Sequence, residues 1–143
     1  MGENVRKPRI LFLCIHNSCR SQMAEALLRH EVGDRFSAAS AGLVARGVHP
    51  LAIRALAELG IDTARLRSKT IDELGDCPFD YIVTTCDEAR EACPRWPGGG
   101  QMLHWGFPDP SASTGTDDER MVEFRRVRDA IAARIKEFTD GPA

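Results

Sequence analysis

Missing from this 143-residue sequence is any apolar run long enough to cross a bilayer, and residues 1–9 lack the charged-then-apolar layout of a signal peptide. A cytoplasmic protein with no membrane partner is the expectation. Net charge is also scarce: 19 lysines and arginines against 21 aspartates and glutamates leave -2, which supplies no broad basic surface for nucleic acid. There is no Cys-x2-Cys pair, and His16, His30, His49 and His104 are scattered, so the spacing of zinc ligands is absent and no metal or other cofactor is expected. The five cysteines are an odd number in a chain of ordinary hydrophobicity, which does not describe a secreted disulfide framework. They read as thiols or redox catalysts of a reducing compartment. Repeats and low-complexity tracts are lacking, and the length suits one domain over 1–143, with 1–8 and 140–143 expected to fray.

What is present concentrates in Cys14-Ile15-His16-Asn17-Ser18-Cys19-Arg20-Ser21. An apolar run, Ile10 to Leu13, precedes it, and a helical pattern from Arg20 to His30 follows, so the stretch reads as a tight loop between a buried strand and a helix N-terminus. Such a loop gathers backbone N–H groups and the positive end of a helix dipole at one spot, which binds an oxyanion. Cys14 supplies a nucleophile whose thiolate that field favours, and Arg20 a planar fork for a tetrahedral anion. A cation at a helix N-terminus opposes the dipole unless it has an anion to hold. Ile15, His16, Asn17, Ser18, Cys19 and Ser21 complete the cradle. Ser21 is expected to donate to the Cys14 sulfur, and Asn17 to brace the loop, because asparagine tolerates left-handed backbone.

Further strands are expected at 36–41, 81–85 and 101–105, and helices after Pro50, after Thr70, over 87–92 and over 117–138. Strand and helix alternate, which predicts an α/β fold: a single-domain, doubly wound, four-stranded parallel sheet with helices on both faces. Ligands of such sheets bind beyond the carboxyl ends of the strands. Cys86 and Asp109 both follow strand candidates, so they belong on the same edge as Cys14. The arginines of the last helix, Arg125, Arg126 and Arg128, read as a solvated face.

The chain resembles the low-molecular-weight tyrosine phosphatase fold family and, within it, the thioredoxin-coupled arsenate reductases. The likeness runs from Leu11 to Phe138 and rests on Cys14 to Glu25, Ser40-Ala41-Gly42, Gly60-Ile61-Asp62, Val83-Thr84-Thr85-Cys86, Cys93-Pro94 and His104-Trp105-Gly106-Phe107-Pro108-Asp109-Pro110. The resemblance implies Asp109 as general acid, a carboxyl suited to protonating a departing oxygen. Phosphatases of this fold carry tyrosines just after the Asp-Pro pair; here Ser111-Ala112 follows, and Tyr81 is the only tyrosine.

The reductases carry two further cysteines, which match Cys86 and Cys93. By resemblance, Cys14 attacks arsenate, Cys86 then attacks Cys14 and releases arsenite, and Cys93 attacks Cys86 to leave a disulfide for thioredoxin. Phosphate or sulfate would bind as analogues, weak phosphatase activity would accompany reduction, and the protein would work as a monomer in arsenic detoxification. The competing readings are a low-molecular-weight protein tyrosine phosphatase and a non-catalytic redox or oxyanion sensor.

Seven helical residues would separate Cys86 from Cys93 by about 10 Å, whereas a disulfide needs Cα atoms within about 7 Å. The 86–93 segment is therefore expected to unwind on oxidation. In some relatives a potassium ion lies beside the loop, near residues matching Asn17, Glu25 and Ser40, with an aspartate at the place of Lys69. Here Lys69 is expected to replace the ion. Cys19 matches a cysteine outside the relay, and Cys77 is expected to be structural.

Overall fold

In the computed structural model, which describes residues 7–140, the first apolar run becomes β1 (Arg9–Cys14), buried from Ile10 onward. A strand covered on both faces needs no polar alternation, which is why its sequence is unbroken. With it lie β2 (Ser37–Gly42), β3 (Tyr81–Thr84) and β4 (Gln101–His104), all parallel, in the order β2-β1-β3-β4. This is the expected α/β sheet. Successive side chains of β1 sort the core into two layers. Ile10 and Phe12 join the apolar residues of α1 (Arg20–Val32), α2 (Pro50–Ala57) and α5 (Asp117–Asp140). Leu11 and Leu13 face the other layer, with Ala89 of α4 (Asp87–Ala92) and, at its edge, Ile71 and Leu74 of α3 (Ile71–Leu74).

Strand order positions the site. The chain leaves β1 for β2 on one side, then returns to place β3 on the other, so the carboxyl ends of β1 and β3 flank the point where the winding reverses. Crevices open at such points because neighbouring connections depart to opposite faces. Leu13 pairs with Thr84, and Thr85 N–H donates to Leu13 O at 2.8 Å. Cys14 and Cys86 are thus brought to the same crevice from 72 positions apart in sequence.

Local chemistry explains the remaining elements. Pro50 sits in the first turn of α2, and Thr70 and Glu73 exchange the two bonds of a capping box at α3. Met121, Phe124, Val127, Ile131 and Ile135 form the buried stripe of α5. Arg128 departs from the solvated face expected of it. It is buried, and its guanidinium donates to Ala55 O at 2.9 Å and Glu58 Oε1 at 2.8 Å, while Arg125 grips the same carboxylate at 2.7 Å. Together the two guanidinium groups tie α5 to the end of α2 and hold the Glu58 carboxyl down at about 2. Among the terminal residues expected to fray, 1–6 and 141–143 lie outside the described residues. Lys7 Nζ donates to Gly33 O at 2.9 Å, Pro8 O accepts from Ser37 N at 2.9 Å, and Asp140 ends α5.

Candidate active site

The turn after β1 depends on one residue. Asn17 has φ of 50°, the only positive value for a non-glycine among the described residues, and its buried amide is a four-way brace. Nδ2 donates to Ser21 Oγ at 2.8 Å and Ser40 Oγ at 2.9 Å. Oδ1 accepts from Gln22 Nε2 and Lys69 N, each at 2.9 Å. The next connection shadows the loop: Val44 N donates to Ile15 O, Arg46 N to His16 O and His49 N to Ser18 O, at 2.9 to 3.1 Å. At the end of β2 a Cβ on Gly42 would lie 2.7 Å from both Asn17 N and Ile15 O, so the approach needs glycine.

α1 opens with no side-chain cap at Cys19 and no acidic residue in its first turn, which leaves its N-terminal field uncompensated. Arg20 lies there, buried. Its NH1 donates to Phe107 O at 3.1 Å, its NH2 is 3.8 Å from Asp109 Oδ2, and its Nε has no partner among the described residues. Asp109 Oδ1 accepts from Ser111 N at 2.9 Å and Ser111 Oγ at 2.7 Å, an arrangement that fixes the carboxyl beside Arg20. These groups line a cavity of about 190 Å³ with Cys14, His16, Ser18 and Cys19. Three larger clefts, two beside Arg29 and His30 and one beside Arg35 and Lys136, contain no cysteine.

The Cys14 thiol is lowered to about 5, and the causes are specific. The largest is a hydrogen bond from the Cys86 thiol; the Arg20 charge and the Ile15 N–H add to it against the cost of burial. Thr85 is also within reach of the sulfur. Its hydroxyl has one proton, already given to Leu13 O at 2.8 Å, so we assign the stabilisation to Cys86, Arg20 and Ile15. Ser21, expected to be the donor, is absent from this set; its oxygen accepts from Asn17 Nδ2. The Cys86 thiol is pushed up by the same bond, by burial and by the Cys14 charge.

Cys14, Cys86 and Cys93 share one apolar cluster with Phe79, Ala89 and Trp96. Cys86 and Cys93 are the residues at either end of α4, and burial raises the Cys93 thiol. Cys19 packs in the other layer, where burial and the Asp109 charge push its thiol up to about 12. Cys77 is half-buried, and its sulfur accepts from Arg9 at 3.1 Å. Two glycines after Cys93 are closely approached by other backbone. A Cβ on Gly98 would collide with Asp76 O, one on Gly100 with Phe79 O, and Trp96, fully buried, donates to Cys77 O at 2.6 Å.

Beside the loop, Ser40 Oγ donates to Glu25 Oε1, and the Lys69 ammonium stands 3.9 Å from the same oxygen and 3.1 Å from Arg67 O. Burial lowers the Lys69 pKa. These residues do not fit an alkali metal ion. A lysine cation already faces the carboxylate, and the Asn17 and Ser40 oxygens are engaged in hydrogen bonds.

Sequence reasoning missed two residues of the cavity wall, Arg46 and His49. Their signal was positional, since the connection after β2 lies on the same sheet edge as the loop.

The fold and site together suit cysteine-dependent oxyanion chemistry. The chain belongs to the low molecular weight phosphotyrosine protein phosphatase family, whose model matches residues 9–141. An arsenate reductase of Halalkalibacterium halodurans is 46% identical over 136 residues, covering 95% of this chain and 98% of that protein. The solved structure of an arsenate reductase in the phosphate binding state has a TM-score of 0.80 at 28% identity, covering 93% of this chain and 97% of that one. The thioredoxin-dependent arsenate reductase of Corynebacterium glutamicum has a TM-score of 0.72 at 29% identity, covering 96% of this chain and 63% of that one.

Proposed function

We propose that this chain reduces arsenate to arsenite with three of its own cysteines and is restored by thioredoxin. The observation that carries the reading is the group facing Cys14. Cys14 shares its buried cluster with a second thiol, Cys86, and a third, Cys93, and Cys86 lies near enough to set the charge state of Cys14. A phosphatase needs water there; a reductase needs a thiol.

The chemistry balances on these residues. The Cys14 thiolate attacks arsenic(V) held by the loop amides and Arg20, and Asp109 gives its proton to the departing oxygen, which leaves as water. The Cys86 sulfur then attacks the Cys14 sulfur, and the electron pair of the sulfur–arsenic bond goes to arsenic, which departs as arsenite. Cys93 attacks Cys86 next, freeing Cys14 as thiolate and leaving a Cys86–Cys93 disulfide, which the two electrons of the thioredoxin dithiol reduce.

The order of these steps is set by charge. While Cys14 is a thiolate it holds the Cys86 proton in place; once its sulfur is bonded to arsenic that hold is gone, and Cys86 can ionise and attack. The similarity to reductases over nearly the whole chain supports this reading over the phosphatase, as does Ser111-Ala112 after Asp109 in place of aromatic residues. We place the protein in the cytoplasm as a monomer, where thioredoxin keeps the dithiol reduced. No helix among the described residues is long and apolar enough to cross a membrane.

Arsenate-dependent NADPH oxidation, reconstituted with thioredoxin and its reductase, tests the proposal. Cys86→Ser and Cys93→Ser should abolish it while aryl phosphate hydrolysis persists. No arsenate turnover beside brisk aryl phosphate turnover would overturn it.

A further inference from the structure

The inner part of the cavity is accounted for by Cys14, Arg20 and Asp109. Its outer part is not. Arg46 and His49 complete the lining, and neither has a place in the steps above. Both are held against the loop by their own backbones, Arg46 N to His16 O at 3.1 Å and His49 N to Ser18 O at 3.0 Å, so their positions follow those of the residues around the anion.

His49 has a fixed polarity. It is the residue before α2, and its Nδ1 accepts the Leu51 N–H at 3.0 Å, so the proton of the neutral ring must sit on Nε2. The ring packs on Phe124 at 4.9 Å between centroids. Burial and the Arg120 charge favour the neutral ring, against weaker opposing effects of Asp109 and Asp117. The result is an uncharged N–H donor of set direction. Arg46 contributes a cation: its side chain is exposed, and it has no ion pair among the described residues.

Resting on the oxyanion reading of this site, we propose that Arg46 and His49 bind the oxygen of the anion that points away from Cys14, and so select a free tetrahedral oxyanion over a phosphoester. In-line attack by sulfur places the leaving oxygen opposite Cys14, on the Asp109 side. In arsenate or phosphate that oxygen is a hydroxyl or an oxyanion, able to accept from an N–H and a guanidinium. In a monoester it carries carbon, whose group would displace water from Arg46 and His49 without replacing its hydrogen bonds. The cavity favours the same choice. At about 190 Å³ it falls below the roughly 300–1,000 Å³ of pockets that enclose organic ligands.

The test compares inorganic phosphate with phenylphosphonate, an inert anion whose outward position is carbon. Each is titrated for its protection of Cys14 from iodoacetamide, read by peptide mass spectrometry, in wild type, Arg46→Ala and His49→Asn. Asparagine retains an acceptor suited to the helix cap but lacks the Nε2–H. Wild type should prefer phosphate, and each variant should lose about tenfold of that preference, the effect of one hydrogen bond to a charged group. A purely structural His49 would weaken both anions equally and leave the ratio unchanged, and an unchanged ratio in both variants overturns the inference. Wild type protected by neither anion would overturn the oxyanion reading itself, and this inference with it.

Discussion

Removing the Cys86 thiol should make Cys14 a weaker acid. The Cys86 hydrogen bond is the largest of the effects that bring Cys14 to about 5, ahead of the Arg20 charge and the Ile15 N–H. A hydrogen bond to a charged group contributes about 1.5–3 kcal/mol, and about 1.4 kcal/mol corresponds to one pKa unit, so Cys86→Ala should raise the Cys14 pKa by about 1–2 units. Cys86→Ser retains an O–H donor and should raise it less. The sign follows from which form is bonded: Cys86 donates to the thiolate, so its loss penalises the ionised form alone. Cys14 in the alanine variant should therefore be mostly protonated at a pH where the wild-type sulfur is already thiolate. The assay is the pH dependence of iodoacetamide alkylation at the Cys14 peptide, checked by thiolate absorbance near 240 nm. A midpoint that does not move in the alanine variant would refute the reasoning and assign the low pKa to Arg20 and the loop amides alone.

Asp109→Asn should lower arsenate turnover by roughly 10²–10⁴-fold, the usual contribution of a general acid, while phosphate still protects Cys14; loss of protection as well would mean that Asp109 chiefly holds Arg20 in place. Arsenate reduction by the wild type should be indifferent to potassium, since the Lys69 ammonium faces Glu25, whereas Lys69→Asp should acquire a potassium requirement; steep activation of the wild type by potassium would count against Lys69 as the built-in cation. Hydrogen exchange should show the 87–95 amides losing protection when the Cys86–Cys93 disulfide forms, because the Arg90 N to Cys86 O and Cys93 N to Ala89 O bonds cannot survive bringing those cysteines together. Equal protection in both redox states would show that the helix accommodates the bond without unwinding.

Much of this molecule is legible in its sequence, for reasons that particular residues make clear. β1 is readable because burial on both faces leaves an unbroken apolar run. The loop is readable because Cys14 and Arg20 stand at the two ends of a strand-to-helix turn, a local pattern, and the left-handed Asn17 is local too. What the sequence hides is tertiary. Nothing near Arg128 announces that Ala55 and Glu58 will enclose it. Nothing near Cys86 announces that it will pack in one cluster with Cys14 and lower its pKa, because that proximity follows from strand order. Gly98 and Gly100 suggest slack, and only the approach of Asp76 O and Phe79 O reveals that they permit close packing of the chain around them. His49 reads as a residue before a proline until the fold sets it against the loop.

The placement of the sulfurs in two layers has an electrical meaning. Cys14, Cys86 and Cys93 pack in one apolar layer, and Cys19, five residues from Cys14 in sequence, packs in the other while still bordering the cavity that Cys14 lines. Its proton is held to about 12, so at neutral pH it offers almost no thiolate to intercept a sulfur–sulfur or sulfur–arsenic bond. In the proposed relay, electrons entering at Cys93 would then have no parallel branch through Cys19, because its held proton rather than distance keeps that thiol idle. An oxidant meets the Cys14 thiolate first, and in the proposed relay Cys86 and then Cys93 would carry that lesion away as a disulfide that thioredoxin can reset.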